Sequence, residues 1–473
     1  MIQLTGSILK LNKKGDLMEK REKFSSRLGF ILISVGCAVG LGNVWRFPHI
    51  VGKYGGALFV LIYLAFLLLL GLPIMVTEFA VGRASQKSVA KSFNVLEPSG
   101  TKWHAYGYIA LIANYVLMMF YTTVGGWMLS YVAKSMSGVL SNATPEVAGQ
   151  VFEQMTQNPY EMTFWMVLVV LLSFGVCSLG LQKGVERITK VMMSCLFVII
   201  AILVVRSVTL EGADKGLKFY LIPNLDAIRQ YGAAEVIFAA MGQAFFTLSI
   251  GIGSMSIFGS YIGKDRSLVG ESINICVLDT VVALCAGFII FPACSAFGVD
   301  PGEGPKLVFV TLPGVFNQMP LGTLWEVLFF IFMSFAAVST VIAVFENIIS
   351  FCIDKWGMSR KKAVLINLVL IILLSLPCVL GFNVLSFIKP LGEGSNIQDL
   401  EDFIVSNNLL PLGSLIFVMF CTSKKGWGWD NFIEEANTGK GLKFPKAAKF
   451  YVKYILPVII LLVFFVGYYQ KFF

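Results

Sequence analysis

The chain has 473 residues, of which 56% are apolar and only 14% charged, with a net charge of +9 and a mean hydropathy of +0.77. So few charges cannot cover the surface of a soluble domain, which excludes that class and indicates an integral membrane protein. The basic excess is read as membrane topology, so it carries no nucleic-acid site.

In chain order, residues 1–24 form a polar lead with Lys10, Lys13 and Lys14. No apolar core with a small-residue cleavage site follows at signal-peptide length, so a cytoplasmic lead is expected. Apolar runs then recur to the end, among them 57–76, 164–181, 191–205, 327–344, 363–380 and 454–468, about eleven in all. Each is long enough to cross most or all of roughly 30 Å of hydrocarbon. Helices are expected, because a lipid-exposed backbone must satisfy its own hydrogen bonds, and the alternating pattern of a barrel is absent. Lysine and arginine gather at the start, near 83–102, 183–190, 264–266 and 355–362, and at 424–453. That pattern puts the N-terminus in the cytoplasm and, with an odd number of spans, the tail outside. The nine cysteines stand singly and the only histidines are His49 and His104, which argues against a disulfide framework or a zinc site. No phosphate-binding Gly-Lys-Ser/Thr loop, zinc-protease motif or nucleophile elbow occurs, so an enzyme or an ATP-driven pump is not expected.

Two segments are interrupted. The first contains Gly36, Gly40 and Gly42, followed at once by Asn43 and Arg46. Each glycine weakens a helix by about 1 kcal/mol relative to alanine. Gly36 and Gly40 would also suit a packing face, but a charge at membrane depth usually faces a cavity or a partner. The sixth segment repeats the pattern, with Gln243, Thr247, Ser249, Gly251 and Gly253 inside an apolar stretch. A broken helix presents carbonyls to a cation at one half and N–H groups to an anion at the other. Breaks at matching positions of two five-segment units point to a transporter's binding site.

The motif Gly40-Leu-Gly-Asn-Val-Trp-Arg-Phe-Pro48, with Arg27-Leu-Gly-Phe before it and Gly55-Gly56-Ala after it, resembles the signature of the neurotransmitter:sodium symporter family. Thr77-Glu78-Phe-Ala-Val-Gly-Arg83, Phe245-Phe-Thr-Leu-Ser249, Ser260-Tyr261 and Asp399-Leu-Glu-Asp-Phe403 extend the likeness over nearly the whole chain. It is most similar to bacterial members with eleven helices, including carriers of tyrosine and other bulky amino acids. The resemblance implies an all-α inner-membrane protein with eleven transmembrane helices and helices one and six unwound at mid-membrane. Two inverted five-helix repeats, 25–207 and 233–421, would be joined by an extracellular connection, 208–232. A cytoplasmic loop, 422–446, would lead to the eleventh helix and a short tail, 447–473.

The resemblance also implies a sodium-coupled symporter that imports an amino acid by alternating access. One sodium site would use the carbonyl of Ala38 with Asn43, Thr247 and Asp279. A second would use carbonyls of Gly36, Val39 and Ala336 with the hydroxyls of Ser339 and Thr340. Leu41, Gly42 and Tyr121 would hold the substrate carboxylate, and Ala38, Phe246, Thr247 and Ser249 its ammonium. Leu117, Val124, Phe246, Ile252 and Val344 would line an apolar side-chain pocket. Gly40 stands where monoamine carriers have an aspartate, so the substrate must bring its own carboxylate. Arg46 with Asp402 resembles the outer gate pair, and Arg21 with Asp354, near Tyr261, the inner pair. Glu78 resembles a carboxylate that accepts from unwound backbone, while Glu346 has no assigned role. Chloride-dependent relatives have asparagine and serine at the positions of Asp279 and Ala283, so no chloride requirement is expected. A proton-coupled carrier of the same architecture, a channel and a non-transporting amino-acid sensor are the alternatives.

Overall fold

A computed structural model describes residues 22–141, 143–298 and 307–472, with a two-residue antiparallel pair, Lys10–Leu11 against Leu17–Met18. Apart from that pair the described elements are helices. The first is α1, Arg27–Ala38, which meets α2, Gly42–Lys53, at a 55° bend. There follow α3 (Ala57–Ser85), α4 (Trp103–Met136), α5 (Pro159–Ser178) and α6 (Leu181–Val208). Two shorter pieces come next, α7 (Ala233–Thr247) and α8 (Ser254–Ser260). Then come α9 (Leu268–Ala296), α10 (Gly322–Trp356), α11 (Arg360–Leu380) and α12 (Ile397–Thr422). A short helix α13 (Trp429–Asn437) precedes α14 (Lys446–Phe472). Among the described residues nine helices are long and apolar enough to cross a membrane, and the α1–α2 pair makes a tenth.

Apolar composition makes these helices stable in lipid, because each closes its backbone bonds internally. Packing decides their order around the centre. The facing sides of α4 and α10 are the most buried and run along each other, whereas α14 lies at the edge. Phe174 of α5 stacks on Phe345 of α10 at 3.9 Å between centroids. Close approach needs small residues where α8 meets α3: a Cβ on Gly259 would lie 2.6 Å from the carbonyl oxygen of Phe79.

The connections are more ordered than their sequences indicate. Residues 208–232 contain helices Ala213–Leu221 and Asp226–Tyr231. The stretch 422–446 contains α13, whose Glu435 takes the fully buried Arg83 at 2.6 Å and Lys264 at 2.9 Å. Arg83 also donates to the carbonyl of Arg266 at 2.7 Å. A buried guanidinium is tolerated only with such partners, so this loop is fastened to the ends of α3 and α8.

Candidate functional site

The break between α7 and α8 spans residues 248–253. Ser249, Gly251 and Gly253 have φ of 50°, 93° and 81°, a region that glycine enters without strain and other residues rarely. Backbone freed inside a bundle needs partners, and side chains supply them. Glu78 of α3 accepts from the N–H of Gly251, and the Tyr106 hydroxyl donates to its carbonyl. Asn114 donates to the carbonyl of Ile252 at 3.0 Å. Ser249 reaches across to the carbonyl of Cys37 at 3.2 Å, tying the second break to the first.

At the first break the N–H of Gly40 donates to Asn43 Oδ1 at 3.2 Å and that of Leu41 to the Tyr121 hydroxyl at 2.8 Å. Gln243 donates to the carbonyl of Gly42 at 2.8 Å. On one side Asn43 Nδ2 donates to Asp279 Oδ1 at 2.9 Å, and the Thr247 hydroxyl to Oδ2 at 3.0 Å. Asn43, Thr247 and Asp279 are all fully buried. On the other side Ser339 and Thr340 of α10 each donate to the carbonyl of Gly36 at 3.1 Å. Thr340 also reaches Val39 at 3.1 Å and Ala336 at 3.3 Å. These are two clusters of hard oxygen atoms, one with a carboxylate and one neutral. Their donor chemistry suits a small hard cation rather than a transition metal, and the described residues contain no His/Cys/Asp/Glu group of three or more that could hold a metal.

Between the clusters lies a cavity of about 20 Å³ lined by Ala38, Gly40, Gly42, Leu117, Tyr121, Phe246, Ser249, Ile252, Thr340 and Leu410. Above it a chamber of about 500 Å³ shares Tyr121 and Phe246, takes in Pro411 beside Leu410, and is walled by Leu41, Val124, Arg46 and Asp402 among others. Of the expected pocket residues, Leu41 and Val124 thus face the outer chamber. Thr247 is engaged with Asp279, and Val344 is buried on α10 outside both walls. Leu410 of α12 was not expected, since it follows a polar stretch with no motif.

Arg46 stands over the ring of Phe246 at 4.4 Å, and Asp402 accepts from Ser406 at 2.6 Å. They line one chamber without forming an ion pair within 4.0 Å. At the opposite end Arg21 lies outside the described residues, while Asp354 accepts from the N–H of Ser88 at 2.7 Å and has Lys87 at 3.7 Å. Tyr261 donates to Glu346 at 2.9 Å, and Arg360 binds both oxygens of Glu346 at 2.7 and 3.0 Å. Glu346, unassigned from sequence, is therefore a buried anion held by α11 and the end of α8.

A helical bundle with two broken helices meeting at buried oxygen clusters, below a chamber walled in part by Arg46, Lys53, Asp399 and Asp402, has the architecture of a membrane carrier rather than an enzyme. The profile described as the sodium:neurotransmitter symporter family matches residues 21–150 and 147–471. The chain belongs to that family. It is 36% identical to the uncharacterized sodium-dependent transporter YhdH of Bacillus subtilis, over 94% of this chain and 97% of that protein. An uncharacterized sodium-dependent transporter of Haemophilus influenzae is 33% identical over 94% and 98%. Among solved structures, MhsT in complex with L-phenylalanine is similar with a TM-score of 0.85 and 38% identity, over 96% of this chain and all of that one.

Proposed function

We propose that this protein is a sodium-coupled symporter that imports an amino acid with a bulky apolar or aromatic side chain, by alternating access and without chloride. The observation that carries the reading is the meeting of both helix breaks at one small cavity flanked by two oxygen clusters. Ala38, Asn43, Thr247 and Asp279 would hold one sodium ion, and Gly36, Val39, Ala336, Ser339 and Thr340 the other. A buried carboxylate beside a cation meets the need for compensating charge in a low-dielectric centre. The substrate carboxylate would take the amide end near Leu41 and Gly42 and the hydroxyl of Tyr121, with Gly40 leaving that space free. Carbonyls of Ala38, Phe246 and Thr247, with Ser249, would take the ammonium. Leu117, Ile252 and Leu410 supply an apolar end to the cavity, and the family likeness to a protein solved with L-phenylalanine supports an aromatic substrate.

The same arrangement supports alternating access. The chamber above the cavity reaches Tyr121 and Phe246, while at the far side Tyr261 and Arg360 are bonded to Glu346 and would bar passage. Rocking of repeats 25–207 and 233–421 would exchange these conditions, with α7 and α8 as one interrupted span and eleven spans in all. The basic residues of the linking segments argue for a cytoplasmic N-terminus in a bacterial inner membrane. The test is uptake of labelled L-phenylalanine into proteoliposomes under an inward sodium gradient. Accumulation above equilibrium is expected. Equal uptake in potassium or choline, with a proton gradient sufficing, would establish the proton-coupled alternative.

A further inference from the structure

Half-helix α1 is a rod of twelve residues gripped at both ends. Its C-terminal carbonyls, Gly36 and Val39, take the hydroxyls of Ser339 and Thr340. Its N-terminal turn meets Glu186 of α6, a carboxylate 2% exposed. Glu186 accepts from the N–H and hydroxyl of Ser25 at 2.8 and 2.6 Å, and from those of Ser26 at 3.2 Å each. Ser26 in turn caps the rod by accepting from the N–H of Gly29 at 3.0 Å. The fit is close: a Cβ on Gly29 would lie 2.7 Å from Cγ of Glu186. From α9, Glu271 takes Nε of Arg27 at 3.0 and 3.2 Å.

Resting on the transport reading above, we propose that Glu186 and Glu271 form a clasp on α1, positioning residues that set how readily the cytoplasmic side opens. Two carboxylates at the N-terminal turn complement the positive end of the rod's dipole. The clasp and the oxygen cluster act on one rigid body from opposite ends, so their holding effects combine. Withdrawal of α1 strips Glu186, itself 2% exposed, of four donors carried on a segment whose Ser25 and Arg27 face solvent, so water must take their place at the carboxylate. Release of an ion held by Gly36 and Val39 and release of the clasp are therefore coupled.

The test uses the full-length chain with the other eight cysteines replaced and Cys37, fully buried on α1, kept as the probe. Inside-out vesicles are treated with a membrane-impermeant maleimide in sodium and in potassium. Sodium should slow labelling of the parent. Glu186→Gln turns one acceptor into a donor facing Ser25, and loss of charge-assisted bonds should raise labelling in sodium about tenfold. Ser25→Ala with Ser26→Ala removes two of the donors and leaves the carboxylate, so a smaller rise is expected without disturbing α6. Arg27→Gln should also raise it, and Glu186→Asp should restore part of the protection. Unchanged labelling in both the Glu186→Gln and the double serine variant overturns the clasp. Parent labelling indifferent to sodium instead overturns the sodium-coupled reading, and the variant-to-parent ratio still judges the clasp.

Discussion

Tyr121→Phe removes one hydroxyl from a ring 3% exposed and changes little else. In the structure that hydroxyl accepts the N–H of Leu41 at 2.8 Å, and before substrate binds this bond is the one at risk. Without it the N–H is buried and unpaired, a cost of about 1 kcal/mol at the lower end for such a group. In the proposed complex the tyrosine donates to the substrate carboxylate, and that charge-assisted bond is worth about 2 kcal/mol. The substrate also takes over the Leu41 N–H, so the variant's free state is destabilised by a term that its bound state escapes. The net loss of binding is then about 1 kcal/mol, roughly fivefold in Kd. Simple deletion of a bond made only in the complex would give about thirtyfold. Equilibrium binding of labelled phenylalanine at saturating sodium measures the affinity, and melting of the ligand-free protein measures the other half of the cycle. A fivefold weaker Kd with a lower melting temperature is expected. Lower melting with unchanged affinity would refute the carboxylate role, leaving Tyr121 as a brace for the first break.

Thr340→Val preserves shape but removes a hydroxyl that reaches the carbonyls of Gly36 and Val39. Sodium dependence of binding should weaken about tenfold or more, as for loss of one contact to a charge, and an unchanged sodium titration would remove Thr340 from the ion site. Asp402→Asn takes the charge from one wall of the outer chamber and should slow transport while leaving equilibrium sodium binding within about twofold, a ratio that small being under 0.5 kcal/mol. Wild-type transport rates in that variant would sink the outer-gate assignment. Uptake in gluconate should equal uptake in chloride if, as proposed, Asp279 supplies the compensating charge. Asp279→Asn with Ala283→Ser should gain chloride stimulation, and a parent protein inactive in gluconate would contradict the assignment.

The breaks left local marks that a sequence reading can detect: glycines spaced within a turn or two, and Asn43, Arg46, Gln243 and Thr247 at membrane depth. Of the groups that satisfy the freed backbone, the family resemblance supplies Glu78 and Tyr121, while Tyr106 and Asn114 carry no motif of their own. Tyr106, Asn114 and Tyr121 stand on α4, far in sequence from both breaks, and single polar residues in an apolar helix usually read as interface anchors or interhelical bonds. A signal was nonetheless present, since at 3.6 residues per turn the three fall within one stripe of about 80°. Hydropathy treats the two broken segments differently for a related reason. The first pair resumes after three residues and still passes as one bent span, whereas six non-helical residues separate α7 from α8 and leave two short pieces.

Charge was harder to read than breakage. Glu346 shares α10 with the oxygen-rich turn, yet its partner Arg360 begins the next helix beyond the turn at Gly357, and its other partner, Tyr261, ends α8. Arg83 looked like one more cytoplasmic basic residue until Glu435, 352 positions later, enclosed it. Glu186 likewise sits within a basic stretch that topology alone explains, and only the folded arrangement sets it over Ser25 and Ser26. Each of these ions is met by groups distant in the chain, so its energy depends on tertiary distance and desolvation rather than on sequence neighbours. Topology needs only the sum of basic residues on each side, which composition carries directly. A gate needs the identity of each pair, and that exists only once the helices have packed.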